Sequence, residues 1–173
     1  VNGEIYNHHG LKEVVLQGEY KFNTDSDCEV IIPLYHQFGN LFLNMLDGVF
    51  GFFIYDSGSH DFLVARDPIG VNPLYYAINE IGEYCFASEL KAIRNWDSEV
   101  EIKNFPPGHY MDKTLTFNQY YKPKWHNFTQ LHKEYEMAEE LVLQNVREVL
   151  TKSVKKRMMC DVPFGTLLSG GLD

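Results

Sequence analysis

The sequence has no excess of basic charge: 15 Lys and Arg stand against 24 Asp and Glu, for a formal net charge of -9. A nucleic-acid binder needs Lys and Arg to neutralise phosphates, and an anionic membrane surface asks for the same, so neither is an expected partner. No apolar run approaches the roughly 18 residues of a membrane span, and the amino end carries no signal-peptide pattern. Cysteine is scarce. Cys28, Cys85 and Cys160 are odd in number and far apart, with no CxxC pair and no ligand spacing to the seven histidines. That excludes a disulfide framework and a thiolate metal site, and it points to a reducing compartment, the cytoplasm. The histidines read as surface or hydrogen-bonding residues, and the cysteines as small buried apolar ones.

What is present is a globular composition, with 45% hydrophobic, 14% aromatic and 23% charged residues in 173. That length holds one domain with a proper core, or one domain and part of another. From Val1 to about Trp125 the chain reads mostly as strands. GVFGFFIYD (48–56), FLVAR (62–66), PLYYAI (73–78) and YCFAS (84–88) are β-branched and aromatic runs separated by turns, which predicts an antiparallel meander. CEVIIPLYHQFG (28–39) has helical spacing, with Asp25 or Ser26 as cap and Gly39 as stop, and SELKAIR (88–94) reads as a short helix capped by Ser88. Residues 126–135 are polar and aperiodic, a linker. From about Glu136 the apolar residues Met137, Leu141, Val142, Val146, Val149, Leu150, Val154 and Met158 mark one face of a long amphipathic helix. DVPFGTLLSGGLD (161–173) then predicts a buried strand running into a glycine turn. The expected organisation is a domain over 1–125, a linker over 126–135 and the start of a second domain over 136–173.

Two stretches carry chemistry. In LLSGGLD (167–173), Gly170 and Gly171 let a main chain approach phosphates, Ser169 adds a hydroxyl, and Asp173 supplies a carboxylate suited to Mg2+. In NGEIYN (2–7), the Asn2 side-chain amide and the Gly3 N–H could form a two-donor oxyanion hole for acyl transfer. Glu4 and Asp27 are carboxylates that could receive the ammonium of an amino-acid substrate. A surface turn is the plainer reading of each stretch.

The residues also match known families. SGGLD preceded by PFGTLL resembles the pyrophosphate loop of the ATP pyrophosphatases. VNGEIYNH, TDSDCEVI, LDGVFGFFIYD, ARDPIGVNPLYY and FASELKAI resemble, in order, the class II glutamine amidotransferase domains. Their joining to PFGTLLSGGLD resembles the glutamine-hydrolysing asparagine synthetases. The resemblance covers essentially the whole chain. It implies an α+β amino-terminal-nucleophile hydrolase sandwich, with antiparallel sheets between helices, followed by the first helix and strand of an α/β ATP-pyrophosphatase domain. It implies an ATP-dependent ligase that converts aspartate, glutamine and ATP to asparagine, glutamate, AMP and pyrophosphate, with Mg2+ as cofactor and a homodimer as one assembly open to it. Asn2 and Gly3 would form the oxyanion hole. Glutamine would be bound by Asn2, Gly3, Glu4 and Asp27. ATP would lie against Leu167, Leu168, Ser169, Gly170, Gly171 and Asp173, with Asp173 on the metal. Arg66, Asp67 and Glu89 match motif positions and read as structural.

The sequence departs from that family in one respect. The family's nucleophile is a cysteine at the mature amino terminus, whose own α-amine is the base. No such cysteine precedes Asn2, and the arginine expected to clasp the glutamine carboxylate is also absent. Cys28 lies inside the chain and has no free amine. The expectation is a piece of a longer enzyme, inactive by itself. A related amidotransferase acting on another carboxylate, or a non-catalytic assembly module, are the alternatives.

Overall fold

The computed structural model describes residues 1–16, 20–123, 125 and 139–171. The chain divides into two compact units, Val1–Phe128 and Thr129–Asp173. The expected linker, residues 126–135, lies outside the described residues, as do Glu136, Met137 and Asp173.

In the first unit the strands are β1 (Asn2–Ile5), β2 (Gly48–Asp56), β3 (Asp61–Arg66), β4 (Tyr75–Ile78), β5 (Tyr84–Ala87), β6 (Lys103–Asn104), β7 (His109–Asp112) and β8 (Phe117–Gln119). The helices are α1 (His8–Leu16), α2 (Ile31–Phe38) and α3 (Leu90–Trp96). The strands form two antiparallel sheets, a five-stranded one in the order β1-β2-β3-β7-β8 and a three-stranded one in the order β5-β4-β6.

Side-chain alternation along the strands sorts this unit into layers, because successive residues of a strand face opposite sides. Phe50, Phe52 and Ile54 of β2 and Leu63 and Ala65 of β3 pack with Leu11, Val15, Ile31 and Leu34 of α1 and α2. Val64 and Met111 of the same sheet turn the other way and meet Phe105, with Tyr76, Tyr84 and Phe86 of the small sheet. The far face of the small sheet, Tyr75, Ala77 and Cys85, packs on Ile93 of α3. The order is therefore helices, five-stranded sheet, three-stranded sheet, helix, the sandwich implied by the resemblance. Fully buried Phe42, Phe50 and Phe105 anchor two of the three interfaces, each contributing about 2–3 kcal/mol by removal from water.

Local signals placed most elements. β2 occupies the run 48–56, and α2 stops where Gly39 takes φ 54° and its N–H bonds Tyr35 O. Ahead of α2, the Ser26 Oγ accepts from the Cys28 N–H and opens a 3-10 turn over Asp27–Val30. Two readings are corrected. The four strands 48–87 do not form one meander, because β3 pairs with β7 and the β4–β5 hairpin belongs to the other sheet. Residue 88 does not cap α3; Glu89 occupies that position and makes no side-chain cap bond. His8–Leu16, within the stretch read mostly as strands, is a helix.

The second unit contains α4 (Glu139–Lys156), with Glu139 and Glu140 in its first turn and Lys155 and Lys156 in its last, which suits the helix dipole. Its apolar residues Leu141, Val142, Val146, Val149, Leu150 and Val154 are exposed. The run 162–168, expected to be a buried strand, is neither buried nor a strand. A strand needs a neighbour to take its N–H and C=O groups, and no paired strand lies beside it among the described residues. Among the described residues no helix is long and apolar enough to cross a membrane.

Candidate functional site

β1 carries the residues NGEI along the edge of the five-stranded sheet, with Asn2 opposite Gly51 and Gly3 opposite Phe50. The Asn2-Gly3 pair is thus in a strand and not at a hairpin tip. Gly3 has φ 154°, and a Cβ built on it would lie 2.1 Å from Val49 O and 2.6 Å from Phe50 Cα. Both contacts are to backbone, so only glycine fits. The strand then turns through Tyr6 and Asn7. Asn7 fastens that turn, its Nδ2 donating to Met45 O and its Oδ1 accepting from the Asp47 N–H, at 2.8 and 3.0 Å.

The fold brings Asp27 to this strand. Its Oδ2 accepts the Ile5 N–H at 2.6 Å, so one carboxylate oxygen is committed to the β1 backbone. Glu29 clasps the preceding loop, accepting from the N–H groups of Asn23 and Thr24 at 2.7 Å each and from the Thr24 hydroxyl. Those backbone bonds hold the Glu29 carboxyl below its ordinary range. Glu4 is exposed on β1. Asp27 is thus tied to β1 at Ile5, on the strand that carries Asn2, Gly3 and the exposed Glu4.

Cys28 is half-buried, and its Sγ lies 3.7 Å from Gly3 O in donor geometry. Burial first, then the neighbouring Asp27 charge, push its thiol up to about 11. At neutral pH it is a protonated thiol and a poor nucleophile. Cys28 is expected to react with iodoacetamide at pH 8 more than about tenfold slower than exposed Cys160. Equal rates would mean that Cys28 is as accessible to solvent as Cys160. His8 departs from the surface role expected of it: it is 6% exposed, and its Nδ1 has no hydrogen-bond partner among the described residues. Burial lowers its pKa.

Arg66 and Asp67, read as structural, form the support behind β1, and sequence reasoning missed Asn72, the residue that carries it to the strand. Asp67 is 1% exposed. Its Oδ1 accepts from the N–H groups of Ile69, Gly70 and Val71, and its Oδ2 from those of Phe50 and Asn72. Arg66, 8% exposed, donates to Asn72 O, Phe105 O and Gly70 O at 2.8, 2.8 and 3.0 Å. Together they template the loop 67–72. The Asn72 side chain then donates to Asn2 O at 2.7 Å and Val49 O at 3.2 Å. ARDPIG marks the two charged residues, but nothing in the sequence marks Asn72, which lies 70 positions from its partner.

In the second unit Ser169, Gly170 and Gly171 form an exposed bend, with Gly170 at φ 76° and the Gly171 N–H donating to Ser169 Oγ at 3.3 Å. Leu167 and Leu168 are fully exposed. Asp173 lies outside the described residues. Among the described residues no group of His, Cys, Asp and Glu is arranged to hold a metal ion.

A family model described as "Glutamine amidotransferase domain" matches residues 1–133, and one described as "Asparagine synthase" matches residues 145–173. The whole chain is 48% identical to the probable asparagine synthetase (glutamine-hydrolyzing) of Dictyostelium discoideum, covering 31% of that protein. It is 47% identical, again over its whole length, to the asparagine synthetase (glutamine-hydrolyzing) 2 of Arabidopsis thaliana, covering 28%. The chain thus spans about three-tenths of the length of these relatives. Among solved structures it is similar to the glutamine phosphoribosylpyrophosphate amidotransferase of B. subtilis complexed with ADP and GMP. The TM-score is 0.60 at 25% identity, over 70% of this chain and 28% of that one. An allosteric regulatory enzyme of purine biosynthesis matches over the same shares, with a TM-score of 0.59 at 25% identity.

Proposed function

The chain belongs to the glutamine amidotransferase domain family, and we propose on that premise that the protein it comes from is a glutamine-dependent asparagine synthetase. The observation that supports this reading is the succession, within one chain, of the amidotransferase match and the asparagine synthase match. The reading assigns 1–125 to glutamine hydrolysis, 126–135 to a linker and 136–173 to the start of the synthetase part.

At the first site the glutamine side-chain amide would be attacked by a thiolate, giving a tetrahedral intermediate whose oxygen carries the negative charge. The Gly3 N–H and the Asn2 side-chain amide would receive that charge, donors worth most in the transition state. Asp27 would hold the substrate ammonium with the oxygen not committed to Ile5, and the exposed Glu4 would add its charge. Collapse would release ammonia, and water would free glutamate from the thioester. We place the nucleophile outside these residues, because Cys28 is internal, half-buried and held as a thiol.

At the second site ATP and aspartate would give an aspartyl adenylate and pyrophosphate. Ammonia would then displace AMP to form asparagine. The backbone of Leu167 and Leu168, with Ser169, Gly170 and Gly171, would hold ATP, and Asp173 would hold Mg2+ on the phosphates. Ammonia must reach that carbon unprotonated, because ammonium has no lone pair with which to attack. The cytoplasm and a homodimeric state complete the reading, the first because three free cysteines persist there.

The test is to purify the gene product as its organism makes it, determine its amino-terminal residue and mass, and supply amide-labelled 15N-glutamine with aspartate and ATP. Label in the asparagine amide, with AMP formed in equal amount, is the expected result. Label in another amide would assign a different acceptor. Absence of both glutamine hydrolysis and ATP cleavage would leave a non-catalytic assembly module.

A further inference from the structure

We infer that Asn72 is a positioning residue for the oxyanion hole, orienting the Asn2–Gly3 peptide through its carbonyl oxygen. The inference rests on the assignment of the Gly3 N–H as an oxyanion donor. The oxygen that Asn72 binds and that N–H belong to the same peptide group. A peptide is planar and trans, so its C=O and N–H point in opposite directions. Fixing one fixes the other.

Asn72 is placed to do this. Its Nδ2 has two hydrogens, and its two partners, Asn2 O and Val49 O, are both carbonyl acceptors. Only the amide nitrogen can face them, so the side-chain orientation is unambiguous. Its backbone is held on both sides by buried charge: its N–H by Asp67 Oδ2 at 3.1 Å, and its C=O by Arg66 Nε at 2.8 Å. The side chain therefore projects from a rigid loop. β1 is an edge strand, paired on one side only, so the sheet alone leaves its orientation freer than that of a central strand. A hydrogen bond accepted at the carbonyl also polarises the amide and strengthens its N–H as a donor. Asn72 touches no reacting atom in this scheme.

Two measurements on the full gene product test the inference. Asn-Gly occurs once in this sequence. Labelling Asn with 13C at the carbonyl and Gly with 15N therefore gives one correlation peak from this chain, that of the Asn2–Gly3 peptide. In Asn72→Ala and in Asn72→Asp that peak is expected to move, with the Asn2 carbonyl carbon upfield, as its hydrogen bond is lost. In glutamine hydrolysis kcat is expected to fall about tenfold with KM within about twofold, because an oxyanion donor acts in the transition state. Ammonia-dependent synthesis and the melting temperature are expected to hold. An unmoved carbonyl peak overturns the inference, as does an unchanged kcat in a protein that hydrolyses glutamine. A loss of kcat only in step with melting temperature and ammonia-dependent synthesis overturns it too. If the unaltered protein hydrolyses no glutamine, the proposed function fails, and the carbonyl peak still decides whether Asn72 holds the peptide.

Discussion

A Gly3→Ala protein is expected to lose at least about a hundredfold in glutamine hydrolysis, the order seen when one oxyanion donor is removed. It is also expected to be destabilised by about 2–4 kcal/mol. Two costs combine. The backbone at φ 154° suits no L side chain, and strain of that kind costs on the order of 1–3 kcal/mol. The new methyl would also meet Val49 O at 2.1 Å and Asn72 Nδ2 at 2.9 Å. The carbonyl is part of β2 and cannot yield without disturbing the pairing of Gly3 with Phe50. The sheet would then open at its edge, turning the Gly3 N–H away from the substrate and releasing Asn72. Urea unfolding and initial rates of glutamate formation measure the two effects. A stable Gly3→Ala protein with normal glutaminase rates would remove Gly3 from the site altogether.

The proposal at that position starts from local chemistry. Asn2 and Gly3 are adjacent, so a side-chain amide and a glycine N–H lie next to each other along the chain. β2 was also marked locally, since six of its nine residues are β-branched or aromatic, and only its sheet partners remained open. α1 had a signal that the strand-rich surroundings obscured: Leu11 and Val15 lie four apart and are both buried. What the sequence could not carry is pairing at a distance. Val64 opposite Met111 and Ala65 opposite Tyr110 decide that β3 leaves the meander for β7, and neither pair is marked by spacing. Asn72 is the same case in the site, a residue whose role exists only once two remote strands have been brought to it. The run 162–168 shows the converse. Its composition suits a buried strand, but composition supplies no neighbour, and the residues stand exposed.

The second large effect is expected at Asp67→Asn, a change of almost no volume. The carboxylate receives backbone N–H groups on both oxygens, in a position 1% exposed. An amide keeps one acceptor oxygen and turns two donors toward the remaining N–H groups, so at least one oxygen's share of bonds becomes a buried mismatch. Unsatisfied buried groups cost about 1–3 kcal/mol each, more where a charge had served them, so a loss of about 3 kcal/mol is expected in urea unfolding. The direction of the functional change separates two views of this residue. If Asp67 only stabilised the unit, activity per folded molecule would stay normal. The geometry argues otherwise. The Asn72 N–H donates to Asp67 Oδ2 and the Asn72 Nδ2 donates to Asn2 O, so slackening the first contact moves the Asn2–Gly3 peptide. Asp67→Asn is therefore expected to lower kcat for glutamine hydrolysis even at temperatures where the protein is fully folded. The effect should be smaller than that of Asn72→Ala, because Arg66 still holds the Asn72 carbonyl. A full kcat in a destabilised Asp67→Asn protein would confine Asp67 to the scaffold and leave Arg66 as the residue that sets Asn72 in place.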